Sequence, residues 1–444
     1  MRDVLVLAII LGSVPFCFRQ PFFGILMWTW VAYFNPHRYA WTETVYNFPV
    51  AMVIAVPTLL GLIFTHKLNK DIFTRESLLM ILLWIWMCIS LVYALQVPLF
   101  AGHIQDGTAR LVQITKILLM TFVTVMVANS PQRLRQLVIV IALSLGVRAV
   151  WAAIFGFRTG GEFRVYGPHD SFMADNNDFA LALNMTLPLL CFLVPGEPRR
   201  WARIGLRICF FASILCVIFT YSRGGLLGLV TVLFLIAMMS RYRIPALFFM
   251  GAVFLVAVSF APQAWNDRMD KMARGEVDSS ETQRLIAWRT GWNLAMDYPI
   301  TGGGLEAYPD VSVFQHYQPE EMPGGRESSG PHSVYFQVLG ELGFPGLALF
   351  LLLLGSCFVS LHRLRNRAKR LDRSHWVIPF TRMFAVSLAA FAVSGAFLGR
   401  AYFDLWFEIV ACIVVLRLLY RREATEGVKR IEIEVEPELS TAQA

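Results

Sequence analysis

The feature that most constrains this chain is a succession of apolar runs, each near the roughly 20 residues that a helix needs to cross a bilayer core. They lie near residues 45–64, 77–97, 111–129, 134–155, 177–195, 204–222, 224–240, 244–261, 334–361, 377–398 and 401–420. Residues 4–34 form a further apolar stretch interrupted by Arg19-Gln20-Pro21, read as one broken crossing or two short ones. Hydrophobic residues make up 56% of the chain and charged residues 16%. Too little polar sequence remains to cover that much apolar surface in water. The expected fold class is an all-α polytopic membrane protein with about 12 transmembrane helices, or one more, and one long, partly helical loop.

Loop charge sets an expected orientation. Lys67/Lys70/Arg75, Arg133/Arg135, Arg199/Arg200/Arg203/Arg207, Arg241/Arg243 and the Arg363–Arg373 run occupy every second loop, and a tail opening Arg421-Arg422 joins them. By the positive-inside rule that side is cytoplasmic, and loops 98–110, 156–176, 221–224, 262–333 and 398–402 face outward. The same pattern accounts for the net charge of +8, so nucleic-acid binding is not expected. The seven cysteines sit inside apolar segments without a CxxC pair, which indicates neither a disulfide framework nor zinc. The N-terminal stretch lacks a small-residue cleavage site and reads as a retained membrane segment. The expected organisation is a transmembrane region 1–261 of about 9 spans, a loop 262–333, a second transmembrane region 334–420 of about 3 spans, and a mobile cytoplasmic tail 421–444. No internal repeat is evident.

Within the long loop, Asp278-Ser-Ser-Glu281 reads as a capping box. The helix it opens carries Leu285, Trp288, Trp292 and Met296 at three- and four-residue spacing, an apolar stripe expected to face the membrane domain. Pro299 and Gly302-Gly303-Gly304 end it. A second short helix is expected around Trp265–Arg274, and the remainder, through Pro319, Pro323, Gly324, Gly325 and Gly330, reads as loop.

Four outward features are candidates for chemistry. Tyr221-Ser222-Arg223-Gly224-Gly225 is either a tight turn with a snorkelling arginine or a guanidinium that grips phosphate at two points. Its glycines would let a ligand approach the backbone. Arg284 lies one helical turn before Trp288; Arg289, about 140° further round the helix, is its competitor for the same site. His332, in Gly330-Pro331-His332-Ser333-Val334-Tyr335, sits where the loop re-enters the membrane, and an imidazole with an unperturbed pKa near about 6.5 suits proton abstraction. The 156–178 loop carries Arg158, Arg164, His169 and Asp170, Asp175 and Asp178. Metal ligation there competes with the simpler job of Asn176–Asp178, capping a helix that starts near Phe179. Gly302-Gly303-Gly304 lacks the Gly-Lys-Ser/Thr ending of a nucleotide loop, and no Ser-His-Asp order or HExxH motif occurs.

In order and spacing these pieces resemble the O-antigen ligase and O-antigen polymerase superfamily of bacterial inner-membrane proteins. The resemblance rests on Ser222-Arg223-Gly224, Arg284-x-x-x-Trp288, Pro299-x-x-Gly302-x-Gly304, His332-x-x-x-Phe336 and Glu341-x-Gly343-x-x-Gly346, within residues 205–360. Gly167-Pro168, Asn177-Asp178-Phe179-Ala180 and Leu187-Pro188-Leu189 extend it, and Phe34-Asn35-Pro36-His37-Arg38 resembles a subgroup of O-glycosylation ligases associated with exosortase systems. Ser333 departs from the asparagine usual after the histidine, which leaves the neighbour of His332 open.

The resemblance implies inverting transfer of a preassembled glycan from undecaprenyl diphosphate to an acceptor hydroxyl at the periplasmic face, without metal, nucleotide or other cofactor. His332 would be the general base, and Arg223 and Arg284 would hold the diphosphate. Arg164, Arg289, Ser222 and Tyr335 are further candidate contacts to diphosphate or glycan. A lipid A–core sugar is the favoured acceptor; protein hydroxyls and a growing glycan are the alternatives within the superfamily. A lipid or polysaccharide transporter is the rival of another class. Its best support is Asp404, Glu408 and Arg148 inside apolar runs.

Overall fold

A computed structural model describes residues 2–65, 68–240, 279–319, 328–372 and 375–441, with isolated positions between 243 and 252. Most of the span expected at 244–261, the helix at 265–274, Asp278 of the expected capping box and the Pro323–Gly325 stretch lie outside the described residues. The described chain is helical: α1 (Arg2–Arg19), α2 (Pro21–Phe34), α3 (Val50–Ile63), α4 (Arg75–Ala94), α5 (Ile104–Val127), α6 (Pro131–Arg158) and α7 (Asn176–Leu193). There follow α8 (Arg200–Phe219), α9 (Arg223–Met239), α10 (Ser279–Asp297), α11 (Val311–Tyr317), α12 (Val334–Leu371), α13 (Val377–Gly395) and α14 (Asp404–Thr441), with short one-turn pieces between. Among the described residues seven helices are long and apolar enough to cross a membrane, and α2, α3 and α9 are shorter apolar helices. The described residues thus have the helical architecture of a polytopic membrane protein.

The interrupted stretch 4–34 resolves into two helices. Arg2 donates to the Tyr39 carbonyl, and Asp3 accepts from the main chain of Trp41 and Thr42. The start of α1 therefore meets the residues just after α2, and the pair forms a hairpin turning at Gln20-Pro21.

The core is built on helices that are apolar all round, which is what a fully enclosed helix requires. From Asp178 to Leu190 every residue of α7 is buried, and so is every residue of α14 from Leu405 to Leu416. Helix α9 packs on α7 and α13 through glycines. A Cβ at Gly225 would meet Ala180 at 2.6 Å, and one at Gly228 would collide with Ser394. Small residues at such a seam let backbones approach closely. These two glycines serve helix packing, whereas Gly224 borders a cavity described below.

Helix α12 is not continuous. Gly343 has φ 67°, and Pro345 follows, so the segment from Val334 breaks from the long run ending at Leu371. The triple glycine fits into this break. Gly303 and Gly304 donate to the carbonyls of Gly340 and Glu341 at 2.8 and 3.0 Å, and Phe344 donates back to Pro299 at 2.8 Å. Ser90 of α4 donates to the carbonyls of Thr301 and Glu341, and His103 lies 2.9 Å from the Gly303 carbonyl. The motifs at 299–304 and 341–346 are two halves of one clasp.

Two sequence expectations need correction. In α10 the buried face is Ile286, Ala287, Thr290, Gly291, Leu294 and Ala295, whereas Leu285, Trp292 and Met296 are exposed. The cause is again close packing: a Cβ at Gly291 would collide with the Tyr308 hydroxyl and meet the Phe336 carbonyl of α12 at 3.3 Å, so no side chain fits at that point of the contact. The second concerns α7. Its cap is Asp175, whose carboxylate accepts from Asn177 N at 2.8 Å, not the expected Asn176–Asp178. Asn176 donates to the Thr220 carbonyl, and Asp178 pairs with Arg400 at 2.6 Å. The tail, for its part, continues α14 as helix through Thr441.

Candidate active site

Arg223 opens α9. The turn before it is set by Tyr221, at φ 54°, whose hydroxyl donates to the Gly161 carbonyl. Burial pushes that phenol above its ordinary value. Ser222 is the N-cap of α9 and accepts from Gly225 N at 2.9 Å. Its hydroxyl thus completes the helix end. Arg223 stands at the positive end of the α9 dipole, an arrangement that favours an anion nearby.

Arg284 reaches the same place from α10. Arg223, Gly224, Leu227, Arg284, Leu285, Trp288 and Phe397 together line one cavity of about 380 Å³. Two guanidinium groups from helices far apart in sequence thus border one space. Arg289 is exposed and does not line it, so of the two competing arginines it is Arg284 that borders this cavity.

His332 comes to the edge of this arrangement through its backbone. Trp288 lies parallel to Phe336 with ring centres 5.4 Å apart, and its indole nitrogen donates to the His332 carbonyl at 3.4 Å. His332 has φ 48°, a left-handed conformation uncommon for a residue with a side chain and found where a fold over-determines it. One hydrogen-bonding neighbour of the imidazole is Ser329, whose hydroxyl lies 3.2 Å from Nε2. Ser333 is buried at the N-cap of α12 and makes no side-chain cap bond.

Behind His332 passes the connection from α13 to α14. Phe397 lines the arginine cavity, and Gly399 packs against Pro331 and His332; an added Cβ would lie 3.3 Å from His332 N. Arg400 then turns away to Asp178. Gln337 and Glu341 of α12 hold this connection from below. Gln337 accepts from Ala401 N at 3.0 Å, and Glu341 accepts from the Tyr402 hydroxyl at 2.8 Å. Burial and the adjacent Glu341 carboxylate raise the Tyr402 phenol well above its ordinary value.

The remaining candidates fall elsewhere. Tyr335 donates to the Ala392 carbonyl at 2.8 Å and packs on Phe350, between α12 and α13. Arg164 is exposed and lines neither cavity. Arg148 is buried over the Tyr39 ring at 4.6 Å. Asp404 and Glu408 border a second, larger cavity. Among the described residues no cluster of three or more His, Cys, Asp or Glu could hold a metal ion. Sequence reading missed Arg400, Gln337 and Tyr402, whose roles depend on pairings between distant helices. The one signal was the position of Arg400 in a short loop that the charge pattern assigns to the outward side, where a span-end arginine is least expected.

Two known families match parts of the chain. Residues 208–351, which hold Arg223, Arg284 and His332, match the O-antigen ligase family. Residues 1–194 match a family of unknown function. No curated protein matches the chain.

Proposed function

We propose, from the match of residues 208–351 to the O-antigen ligase family, that the protein transfers a preassembled glycan from undecaprenyl diphosphate to an acceptor hydroxyl at the periplasmic membrane face. The observation that carries this reading is the shared cavity of Arg223 and Arg284 beside the turn bearing His332. The acceptor oxygen bonds to the anomeric carbon as the bond from that carbon to the diphosphate oxygen breaks. Attack from the face opposite the leaving group inverts the configuration. The electron pair leaves with the diphosphate, and the acceptor proton passes to His332. Two permanently charged guanidinium groups stabilise the negative charge as it grows on the leaving group. They also suit diphosphate geometrically, since each can engage two oxygens at once. The Phe397 and Leu227 side of the cavity gives the prenyl end an apolar surface. A lipid A–core sugar is the favoured acceptor; a protein hydroxyl or a growing glycan would use the same centre.

The test is transfer in proteoliposomes carrying lipid-linked glycan, with each candidate acceptor supplied separately. Arg223→Ala and Arg284→Ala are expected to lower kcat by about 10²–10³ each. His332→Ala is expected to lower it by about 10²–10⁴. Transfer that survives all three substitutions removes the proposal. The activity is expected to persist in EDTA; loss that a divalent ion restores would overturn its metal-independent part.

A further inference from the structure

A second cavity, of about 560 Å³, opens beyond the connection that passes behind His332. Its size falls within the range of about 300–1,000 Å³ common for small-molecule sites. Its walls come from α2, the start of α3, α5, the start of α14, and the segments after α2 and before α7. Those walls combine aromatic rings (Trp28, Phe48, Phe172) with hydrogen-bonding groups (Gln113, Asp404, Glu408). The His37-Arg38 pair of the Asn35-Pro36-His37-Arg38 motif, which the transfer centre does not use, also lines it.

The chemistry of the walls selects among ligands. A prenyl tail would strand several ionisable groups against hydrocarbon, which is costly. A diphosphate would find little free cationic charge: Lys116, exposed, is the one ammonium among the lining residues. The guanidinium groups already face carboxylates: Arg38 lies 3.9 Å from Asp170, Arg110 lies 3.2 Å from Glu306, and Arg400 lies 2.6 Å from Asp178. Asp404 and Glu408 offer carboxyl groups suited to hydrogen-bonding hydroxyls. Burial, with Arg38 beside it, holds the His37 imidazole down to about 4, so it meets the cavity uncharged. Its Nδ1 and the Arg38 Nε are buried without a hydrogen-bond partner. Mixed donors and acceptors, with the arginines already paired and aromatic rings between them, suit a neutral polyhydroxylated molecule.

We propose that this chamber is a glycan subsite that takes a short uncharged oligosaccharide, with sugar faces on the rings of Trp28, Phe48 and Phe172 and hydroxyls bonded to Gln113, Asp404 and Glu408. Its role rests on the transferase reading, because a reaction between two glycan-bearing substrates gives sugars a reason to sit beside the transfer centre. The 397–400 connection joins the two sites. Phe397 lines the arginine cavity, Gly399 touches the His332 turn, and Arg400 lines the chamber. The sugars belong either to the donor glycan or to a glycan acceptor.

Amide exchange of residues 28–38 and 404–408 in the full-length protein in nanodiscs separates these sources. The probes are sugar-free undecaprenyl diphosphate, lipid-linked oligosaccharide from host membranes, the oligosaccharide released from it by mild acid, and an acceptor glycan. Slower exchange with the lipid-linked and released sugars, but not with sugar-free lipid, assigns the chamber to the donor. Slower exchange with the acceptor glycan assigns it to the acceptor. No protection by any sugar, or equal protection by sugar-free lipid, overturns the proposal.

Kinetics give a second readout. Phe172→Ala and Glu408→Gln are expected to raise KM for one glycan about tenfold, the loss of roughly one good contact, with little change in kcat. If wild-type protein transfers glycan and neither variant moves either KM, the chamber proposal fails and the transferase reading stands. If no transfer occurs at all, the transferase reading fails, and exchange with the free sugars alone decides the chamber.

Discussion

The indole of Trp288 donates to the main-chain carbonyl of His332 at 3.4 Å while its ring stacks on Phe336. One side chain of α10 thereby fixes the turn that presents the imidazole, a single helical turn from Arg284. Trp288→Phe keeps a ring for the stack and removes the bond, whose net worth is about 0.5–1.5 kcal/mol. The expected outcome is a near-unchanged thermal midpoint with kcat lowered about three- to tenfold. Wild-type kcat would show that the His332 turn holds without this tether.

Arg223→Lys keeps the charge and loses the planar two-point grip. Transfer is expected to fall about tenfold or more, approaching the loss seen with alanine. Full activity in this variant would assign Arg223 to headgroup anchoring instead.

Gly399→Ala pushes a methyl group into the Pro331 ring and toward His332 N. Overpacking of this kind costs about 1–3 kcal/mol. Because the displaced element is the His332 turn, kcat is expected to fall more than the thermal midpoint would suggest. A loss of stability with kcat intact would show that the turn yields without moving the imidazole.

Gly302→Ala tests the clasp. Gly302 has φ 64°, and a Cβ there would come within 2.6 Å of the main chain at Gly340 and Glu341. The left-handed conformation alone costs a side chain about 1–2 kcal/mol, and the backbone overlap adds to it. Lower expression and a clearly reduced melting temperature are expected. Gly330→Ala, with open space around its Cβ, is expected to melt as the wild type.

The depressed His37 imidazole predicts a pH dependence of stability. Held near about 4 in the folded protein against an ordinary value of 6.5, it must stay neutral where an unfolded histidine would take a proton. Its contribution is complete above about pH 6.5 and is lost as pH falls from there toward about 4. Melting temperature in detergent is expected to drop over that window, and His37→Asn is expected to flatten the slope. An identical slope in the variant would place the sensitivity in other groups.

Much of this was legible in sequence because apolar run length is a strong signal: the helices at 75–94, 131–158, 176–193 and 200–219 lie within a few residues of their expected spans. The arginine pair was legible too, since Arg223 and Arg284 stood out by residue type and by the loops that carry them. The orientation of α10 was not. Large side chains such as Trp292 and Met296 mark the buried face of a helix in water, but here the tight contact with α12 selects Ala287, Thr290 and Gly291. The ion pair of Asp178 with Arg400, and the clasp between 299–304 and 340–344, join residues distant in the chain. Neither periodicity nor spacing encodes such partnerships. The larger chamber is likewise assembled from short contributions of many segments, none of which announces a cavity by itself.

The interruption of α12 at Gly343 has a mechanical consequence. A rigid rod from Val334 to Leu371 would carry any tug on its arginine-rich end straight to the imidazole. Cut at the glycine and bolted to α4 and the triple-glycine segment, the upper piece is decoupled from the lower. A shift of the far end is then expected to be taken up at the joint, leaving the turn bearing His332 in place.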